Sequence, residues 1–431
     1  MAAVALRDEV VELLGELIRL DTVNPPGNET TAAELLRAYL AESGVESELY
    51  AMAPERANLV ARLPGDGGPS LMLLSHTDTV VAEPAEWQVD PWSGELRDGE
   101  VWGRGALDMK GQVAASAVAI ASLAREGFRP AGDLVFVAAA DEEVGQGYGL
   151  PWLCHEHPEA VQTDYAVNEG AGERLELLGR SFYLCSSAEK MSSPFRLRVH
   201  GRAGHASMPG IADNALVKAA TMIEKLAAYR PEQRLGPETE ALVRALAGQP
   251  LPAGEALALA REIDPVAADM LEPLLSLTLS PTMISASERR NVIPSLCKVV
   301  VDCRLLPEQT QAEAEVLVRE VLGEDDYELD WIEGRGGTRS PLGTPLWDAI
   351  ESFVAEIEPE ATLVPMCVAG FTDSHWLRDA FGTVAYGFFP MRAMDAQLAA
   401  RLVHSADERI AADDLELAVH CFRHVAQGIC G

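Results

Sequence analysis

Leu71-Met72-Leu73-Leu74-Ser75-His76-Thr77-Asp78-Thr79-Val80 is an apolar run that delivers a histidine and, two residues later, an aspartate. The run reads as a buried strand. Side chains in an extended chain repeat every two residues, so His76 and Asp78 are expected on the same side, carboxylate beside imidazole. Such a pair serves either of two purposes. A metal-bound histidine passes its second ring proton to an acceptor that fixes its tautomer, and Asp78 is placed to be that acceptor. An ordinary strand-end hydrogen bond uses the same two residues.

Outward from this strand, apolar runs alternate with helical patterns. Val10, Leu13, Leu14, Leu17 and Ile18 form one stripe of an opening helix, Val23-Asn24-Pro25-Pro26-Gly27 breaks into a loop, and a second helix starts near Thr30. After the strand come a helix in ALDMKGQVAASAVAIASLAREG, a strand in DLVFVAAADEEVG and another in DYAVNEG. Strand-helix-strand repetition predicts an α/β fold, a mainly parallel sheet with helices on both faces. From about Arg180 the texture changes to one-faced strands such as FRLRVHGRA and amphipathic helices such as NALVKAATMIEKLAAY. A smaller α+β domain is therefore expected at 181–305, inserted between catalytic segments 1–180 and 306–431 and carrying a helical stretch at about 231–279. A chain of 431 residues suits this division, since domains typically hold ~100–200 residues.

Several acids sit where such a sheet would present them. Asp108 stands between the Gly-rich turn Gly103-Arg104-Gly105 and a helix, where it can bridge two metals or simply cap the helix. Glu142 and Glu143 close an apolar strand; neighbouring strand residues point to opposite sides, so one can bind metal while the other addresses a water. A solvated acidic strand end is the plainer alternative. Glu169 ends another apolar strand, and His404 lies near the far end of the chain just before a helix. Four strand or turn ends on the C-terminal edge of one parallel sheet converge where α/β proteins place their sites.

Composition removes other function classes. With 67 acidic against 34 basic residues the formal charge is -33, which repels nucleic-acid backbones and anionic membranes. Cys154, Cys185, Cys297, Cys303, Cys367, Cys421 and Cys430 are scattered and form no C-x-x-C pair, the usage of free thiols in a reducing compartment. The opening segment ALRDEVVELLGELIRL lacks the unbroken apolar stretch of a secretory signal, and no run of about 18 uncharged apolar residues occurs anywhere. A cytoplasmic protein without membrane spans is expected.

The ordered series SHTDTV, GRGALDMKG, DEEVG, NEG, GHAS, RNVIP, DCRLLP, GFTDS and VHSADE resembles the zinc aminoacylase and carboxypeptidase family over nearly the whole chain. That family includes acetylornithine deacetylase, succinyl-diaminopimelate desuccinylase, aminoacylase and carnosinase-like dipeptidases. The resemblance implies two zinc ions per chain, with cobalt or manganese as substitutes: one held by His76 and Glu169, the other by Glu143 and His404, with Asp108 bridging. It further implies Glu142 as general base, Asp78 orienting His76, a cis peptide at Asp108-Met109, and a homodimer through the inserted domain that lends His205 to its partner. Substrate carboxylate would fall to Arg304, helped by Asn291, Gly370 and Thr372. Two plainer readings stay open: Arg304 as an ion-pair partner of Asp302, and His205 as a loop residue capping Ser207. Lys110 is expected to be an ion-pair partner of the site acids.

DMKGQVAA and SERRNVIP are most similar to the carboxypeptidase S and N-acyl-amino-acid hydrolase branch. The implied activity is hydrolysis of the amide bond of N-acyl amino acids or small peptides with a free carboxylate. A biosynthetic deacylase of acetylornithine or succinyl-diaminopimelate type is the alternative, followed by a metal-dependent binding protein without turnover. Three departures from the family pattern are Asn168 before Glu169, Ser405 after His404, and His375 in the TDS segment. The last bears on substrate selection.

Overall fold

The computed structural model describes residues 5–431 apart from 264–267, 270 and 325. Contacts divide the chain into two units: one holds the chain up to Ser187 with Ser340–Met366 and Thr372–Gly431, the other holds Ala188–Arg339 and Cys367–Phe371. The expected boundary at 305 therefore falls too early. The helix Gln311–Leu322 and the strand Tyr327–Trp331 belong to the second unit, because Tyr327–Trp331 pairs along Phe195–Val199 and the helix buries Ala314, Val318 and Leu322 in the same core.

The first unit is built on a nine-stranded sheet ordered Glu46–Ala51, Ala57–Leu63, Leu134–Ala139, Leu71–His76, Tyr165–Asn168, Val384–Gly387, Arg180–Glu189, Thr362–Val368, with Arg174–Leu177 beside Arg180–Glu189. Its central strands are parallel: Leu71–His76 runs with Leu134–Ala139 and with Tyr165–Asn168, which runs with Val384–Gly387. Antiparallel pairs flank them, so the sheet is mixed where a mainly parallel one was expected. Tight turns suffice to join antiparallel neighbours, whereas each parallel pair needs a crossover.

The two-residue period separates two cores. Leu71, Leu73, Leu134 and Phe136 face the helices Leu6–Ile18, Thr30–Glu42, Lys110–Arg125, Pro345–Ile357 and Ala412–Cys430. Met72, Leu74, Val135 and Val137 face Leu150–Glu156, Pro158–Val161 and Ser374–Phe381 on the other side. Each such side chain contributes about 1.5–3 kcal/mol by burial. The helix Lys110–Arg125 is buried from Lys110 through Leu123, which its run of alanines permits by letting neighbouring helices approach closely. Lys110 is not an ion-pair partner of the site acids. Its Nζ donates to the carbonyls of Leu17 and Leu20, each at 2.9 Å, and so closes the C-terminal end of the opening helix.

In the second unit a six-stranded antiparallel sheet centres on Leu296–Leu305, which pairs with Phe195–His200, Thr278–Ser285 and Met191–Ser192. Phe195, Leu197, Val199, Val299 and Val301 pack with the helices Ala215–Ala228 and Gln311–Leu322. Thr310 and Glu313 form a capping box that starts the latter helix. The expected helical stretch contains Pro237–Ala247 and Ala253–Ile263; its part at 264–267 and 270 lies outside the described residues. Among the described residues no helix is long and apolar enough to cross a membrane.

The first unit is assembled from chain segments that leave and return, and ion pairs tie them, Arg174 with Glu358 among them. Arg174 donates from Nε to Glu358 Oε2 at 2.8 Å and from Nη2 to Oε1 at 2.8 Å, while Tyr183 donates to Oε2 at 3.2 Å. The hydrogen bonds from Arg174 hold the Glu358 carboxyl down at about 2. An unfolded glutamate titrates at roughly 4.3, so the stabilisation is complete above about pH 5 and is lost as pH falls toward 2. Glu358→Gln is expected to lower unfolding free energy by about 1.5–3 kcal/mol at pH 7. In denaturant titrations the gap from the native protein should narrow steadily below about pH 4.5; a gap independent of pH contradicts this assignment.

Candidate metal centre

Neighbouring parallel strands deliver the candidate ligands to one sheet edge. His76 ends its strand, Ala139 lies opposite it in register, and the turn after Ala139 carries Glu142 and Glu143. On the other side, Tyr165–Asn168 is followed at once by Glu169. A side chain on Gly387, in the next strand, would come within 2.0 Å of the Glu169 carbonyl oxygen, so glycine is required there for close packing. Asp108 precedes the helix Lys110–Arg125, and the peptide after it is cis. The strand Arg409–Ala411 pairs with Glu100–Trp102, which sets the loop containing His404 beside the loop containing Asp108.

Five side chains meet there in two groups that share one aspartate: His76, Asp108 and Glu169, and Asp108, Glu143 and His404. Within each group one ligand atom per residue lies within 4.8 Å of the others. Asp108 turns its two oxygens to different imidazoles, Oδ1 to His76 Nε2 at 3.2 Å and Oδ2 to His404 Nε2 at 3.0 Å. Glu169 Oε1 is 3.7 Å from His76 Nε2, and Glu143 Oε2 is 3.2 Å from His404 Nε2.

Electrostatics mark the cluster as a site for cations. Burial raises the Glu142 carboxyl well above the carboxylate range, helped by the charge of Glu169. Burial also raises Glu169, with the charge of Asp108 adding to it, and raises Glu143 against the hydrogen bond from His404. His404 is pulled up to about 10 by its hydrogen bonds with Asp108 and Glu143. For His76, burial works downward and is outweighed by hydrogen bonds with Asp108 and Asp78. Glu143 Oε1 is buried and has no hydrogen-bond partner among the described residues. Crowded carboxylates with an orphaned oxygen, alternating with imidazoles, fit divalent ions that take mixed nitrogen and oxygen ligands.

Glu142 and Glu143 are not strand residues. The strand stops at Ala139, Asp141 adopts a left-handed φ of 65°, and the two glutamates occupy the turn that follows. Asp78 holds this turn: its Oδ1 accepts the Glu142 amide at 3.1 Å and its Oδ2 the Glu143 amide at 3.2 Å. His76 Nδ1 lies 3.1 Å from the Asp78 carbonyl oxygen and 3.4 Å from Asp78 Oδ1. Asp78 thus addresses the imidazole through both backbone and side chain. Burial pushes its carboxyl up, but hydrogen bonds from His76, Asn24 and the Glu142 amide outweigh this and hold it low.

Behind the turn lies a buried network that sequence reading missed. Asn24 Nδ2 donates to Asp78 at 2.9 Å and to Asp141 at 3.0 Å, and Arg56 joins Asp141 at 3.1 Å to Glu29 at 2.7 Å. Asn24 in the proline loop and Asp141 before the paired glutamates carried the available signal.

The remaining predicted residues belong to neither ligand group. Arg304 lies in the second unit and donates from Nε and Nη2 to Asp302 at 3.0 and 3.1 Å, an ion pair that does not include Nη1. His205, also there, is exposed, with Nδ1 2.8 Å from Ser207 Oγ. Asn291 is exposed, and its carbonyl accepts the Ala206 amide at 3.0 Å. Gly370 has open space where a Cβ would be, and Thr372 in the first unit accepts from His375 Nδ1 through its carbonyl at 2.6 Å. Among the departures from the family pattern, Asn168 Nδ2 donates to Ser374 Oγ at 3.1 Å.

Residues 72–428 match the profile of peptidase family M20/M25/M40. The chain is 30% identical over 425 residues to a succinyl-diaminopimelate desuccinylase from Methylorubrum populi, covering 93% of each protein. It is 25% identical over 457 residues to an N-fatty-acyl-amino acid synthase/hydrolase from Xenopus tropicalis, covering 98% of this chain and 86% of that one. A metallo-carboxypeptidase of the M20 family from Sulfolobus solfataricus shares the fold, with a TM-score of 0.74, 18% identity and coverage of 97% and 99%. Sequence motifs, sheet-edge geometry and relatives agree, and the chain is a hydrolase of peptidase family M20/M25/M40.

Proposed function

We propose that the protein uses two zinc ions to hydrolyse the amide bond of N-acyl amino acids or small peptides that carry a free carboxylate. The observation that carries this reading is Asp108, whose oxygens face His76 and His404 separately as the shared member of two ligand groups. His76 and Glu169 would hold one ion, Glu143 and His404 the other. Imidazole with carboxylate suits zinc and also cobalt or manganese. When bound, such ions lower the pKa of water and polarise the scissile carbonyl.

The chain's own groups do the rest. Glu142 is half-buried beside the ligand cluster without being a member of either group, and its raised proton affinity suits a base. It takes a proton from the attacking water and returns it to the departing amine nitrogen. Asp78 fixes the turn that carries Glu142 and so sets the direction of that transfer. For His205 the role that the family resemblance implies is retained, a donor to the developing oxyanion supplied by a second copy. Carboxylate recognition is assigned to Arg304, whose Nη1 is outside the pair with Asp302, with Asn291 and the backbone at Gly370 and Thr372.

The similarity to an N-fatty-acyl-amino acid synthase/hydrolase along most of the chain supports an N-acyl amino acid substrate. The desuccinylase relative supports the second reading, a biosynthetic deacylase acting on a short acidic acyl group. Parallel assays with acetyl, succinyl, long-acyl and dipeptide substrates separate the two. Seven free cysteines support a reducing compartment, and we place the protein in the cytoplasm. The net charge of -33 argues against nucleic acid or an anionic membrane as partner.

A homodimer through the second unit is part of this reading. Among the described residues, Thr278–Ser285 pairs only with Leu296–Leu305, leaving an edge on which Met283 is 67% and Ile284 50% exposed. Long apolar edges are templates for pairing with another chain. Sedimentation is expected to give a dimer for the native protein and a monomer when Met283→Lys and Ile284→Lys are combined; a native monomer contradicts it. For the chemistry, Glu142→Gln is expected to cut kcat about 100- to 10,000-fold while the metal content found by elemental analysis stays native. Unchanged turnover would remove Glu142 from the mechanism, and lost metal would make it a ligand.

A further inference from the structure

The loop Gly103–Asp108 and the loop His404–Glu408 lie far apart in the chain, Leu107 and Glu408 being separated by 301 positions, yet each carries a candidate ligand of the same ion. A single buried carboxylate joins them. Glu408 is fully buried, and its Oε1 accepts the amides of Leu107 at 2.7 Å and Asp108 at 3.0 Å. Its Oε2 accepts the Gly105 amide at 3.0 Å and Arg104 Nη1 at 2.6 Å. Arg104, 3% exposed, completes the brace from the other side: Nη2 donates to the carbonyls of Ser405 at 3.1 Å and Val81 at 3.3 Å. The Gly103 amide donates to the Glu408 carbonyl at 2.9 Å. Gly105 belongs in this loop because its φ is +85° and a side chain there would strike Thr79 at 2.8 Å.

We infer that Glu408 is a positioning residue: through Arg104 and three backbone amides it fixes Asp108 relative to His404 and so sets the spacing of the ion they share. The inference rests on the two-ion reading above. Both oxygens of Glu408 are needed, because every group that faces them is a donor. A glutamine keeps one acceptor and turns an amide NH2 toward the N–H donors of the other, so the loop can keep its place only by releasing some of those bonds. Since the hydrogen bonds of the Glu408 carboxylate go to Arg104 and backbone amides, it acts on the site through the position of the Asp108 backbone and of the His404 loop. Partners of this kind typically change metal affinity by about 10–100-fold when altered.

A purely structural role predicts something else, and the molecule offers a matched comparison. Asp414 is also a buried carboxylate of the first unit that accepts three backbone amides, from Arg392 at 2.7 Å, Ala393 at 2.8 Å and Met394 at 2.9 Å. It belongs to neither ligand group.

The experiment titrates zinc into the metal-stripped full-length protein by calorimetry, beside thermal melting, for native, Glu408→Gln and Asp414→Asn. Glu408→Gln is expected to bind one ion at native affinity and the second about 10–100-fold more weakly. Asp414→Asn is expected to lose thermal stability with both affinities native. If Glu408→Gln binds two ions as the native protein does and loses only stability, the inference is overturned while the two-ion reading stands. If the native protein does not bind two ions, both fall. Should Glu408→Gln fail to fold, Arg104→Lys tests the same brace: weakening of the second ion supports it, and two native affinities overturn it.

Discussion

Carboxylates packed at one sheet edge repel, and this structure gathers Asp108, Glu142, Glu143 and Glu169 around two imidazoles despite that repulsion. The arrangement is unfavourable without compensating positive charge, since two unit charges 4 Å apart interact by about 4 kcal/mol at an effective dielectric of 20. Burial and mutual charge accordingly raise the proton affinities of Glu142, Glu143 and Glu169. Divalent ions supply it better, and the orphaned Glu143 Oε1 is the atom most in need of one. The fold must hold the cluster together against its own repulsion.

Rigidity comes from buried acids that are themselves fully hydrogen-bonded. Asp78 takes the amides of the Glu142-Glu143 turn, Asp141 takes the Tyr148 amide and the Asn24 side chain, and Glu408 takes the amides of the Asp108 loop. A carboxylate that accepts several N–H groups anchors a loop as firmly as a strand ladder does, because releasing any one donor leaves a buried polar group unsatisfied at about 1–3 kcal/mol. Irregular backbone can therefore be exact where it meets the reacting groups. His76 ends a parallel strand, Glu169 directly follows one, and Glu143, Asp108 and His404 sit on loops.

Much of this was legible in the sequence because side-chain patterns carry it. The apolar run from Leu71 announced a strand buried on both faces, and the acids and histidines closing apolar segments pointed to one sheet edge. What escaped reading was mostly what backbone groups do. Lys110 has two carbonyl partners, and backbone acceptors leave no signature in residue types. Glu408 stood inside the quoted VHSADE segment, but three of its four donors are amides. The paired glutamates were assigned to a strand because apolar patterning ran up to them, whereas a left-handed Asp141 ends the strand earlier. The domain boundary at 305 failed for a different reason: Tyr327–Trp331 pairs with Phe195–Val199, and long-range strand pairing cannot be read from local texture.

The central claim is that Asp108 divides two metal positions. The most direct test is a crystal of the zinc-soaked protein measured at the zinc absorption edge. The account predicts two anomalous peaks on either side of Asp108, one against His76 and Glu169 and the other against Glu143 and His404. A single peak at this edge of the sheet, or none, would contradict it.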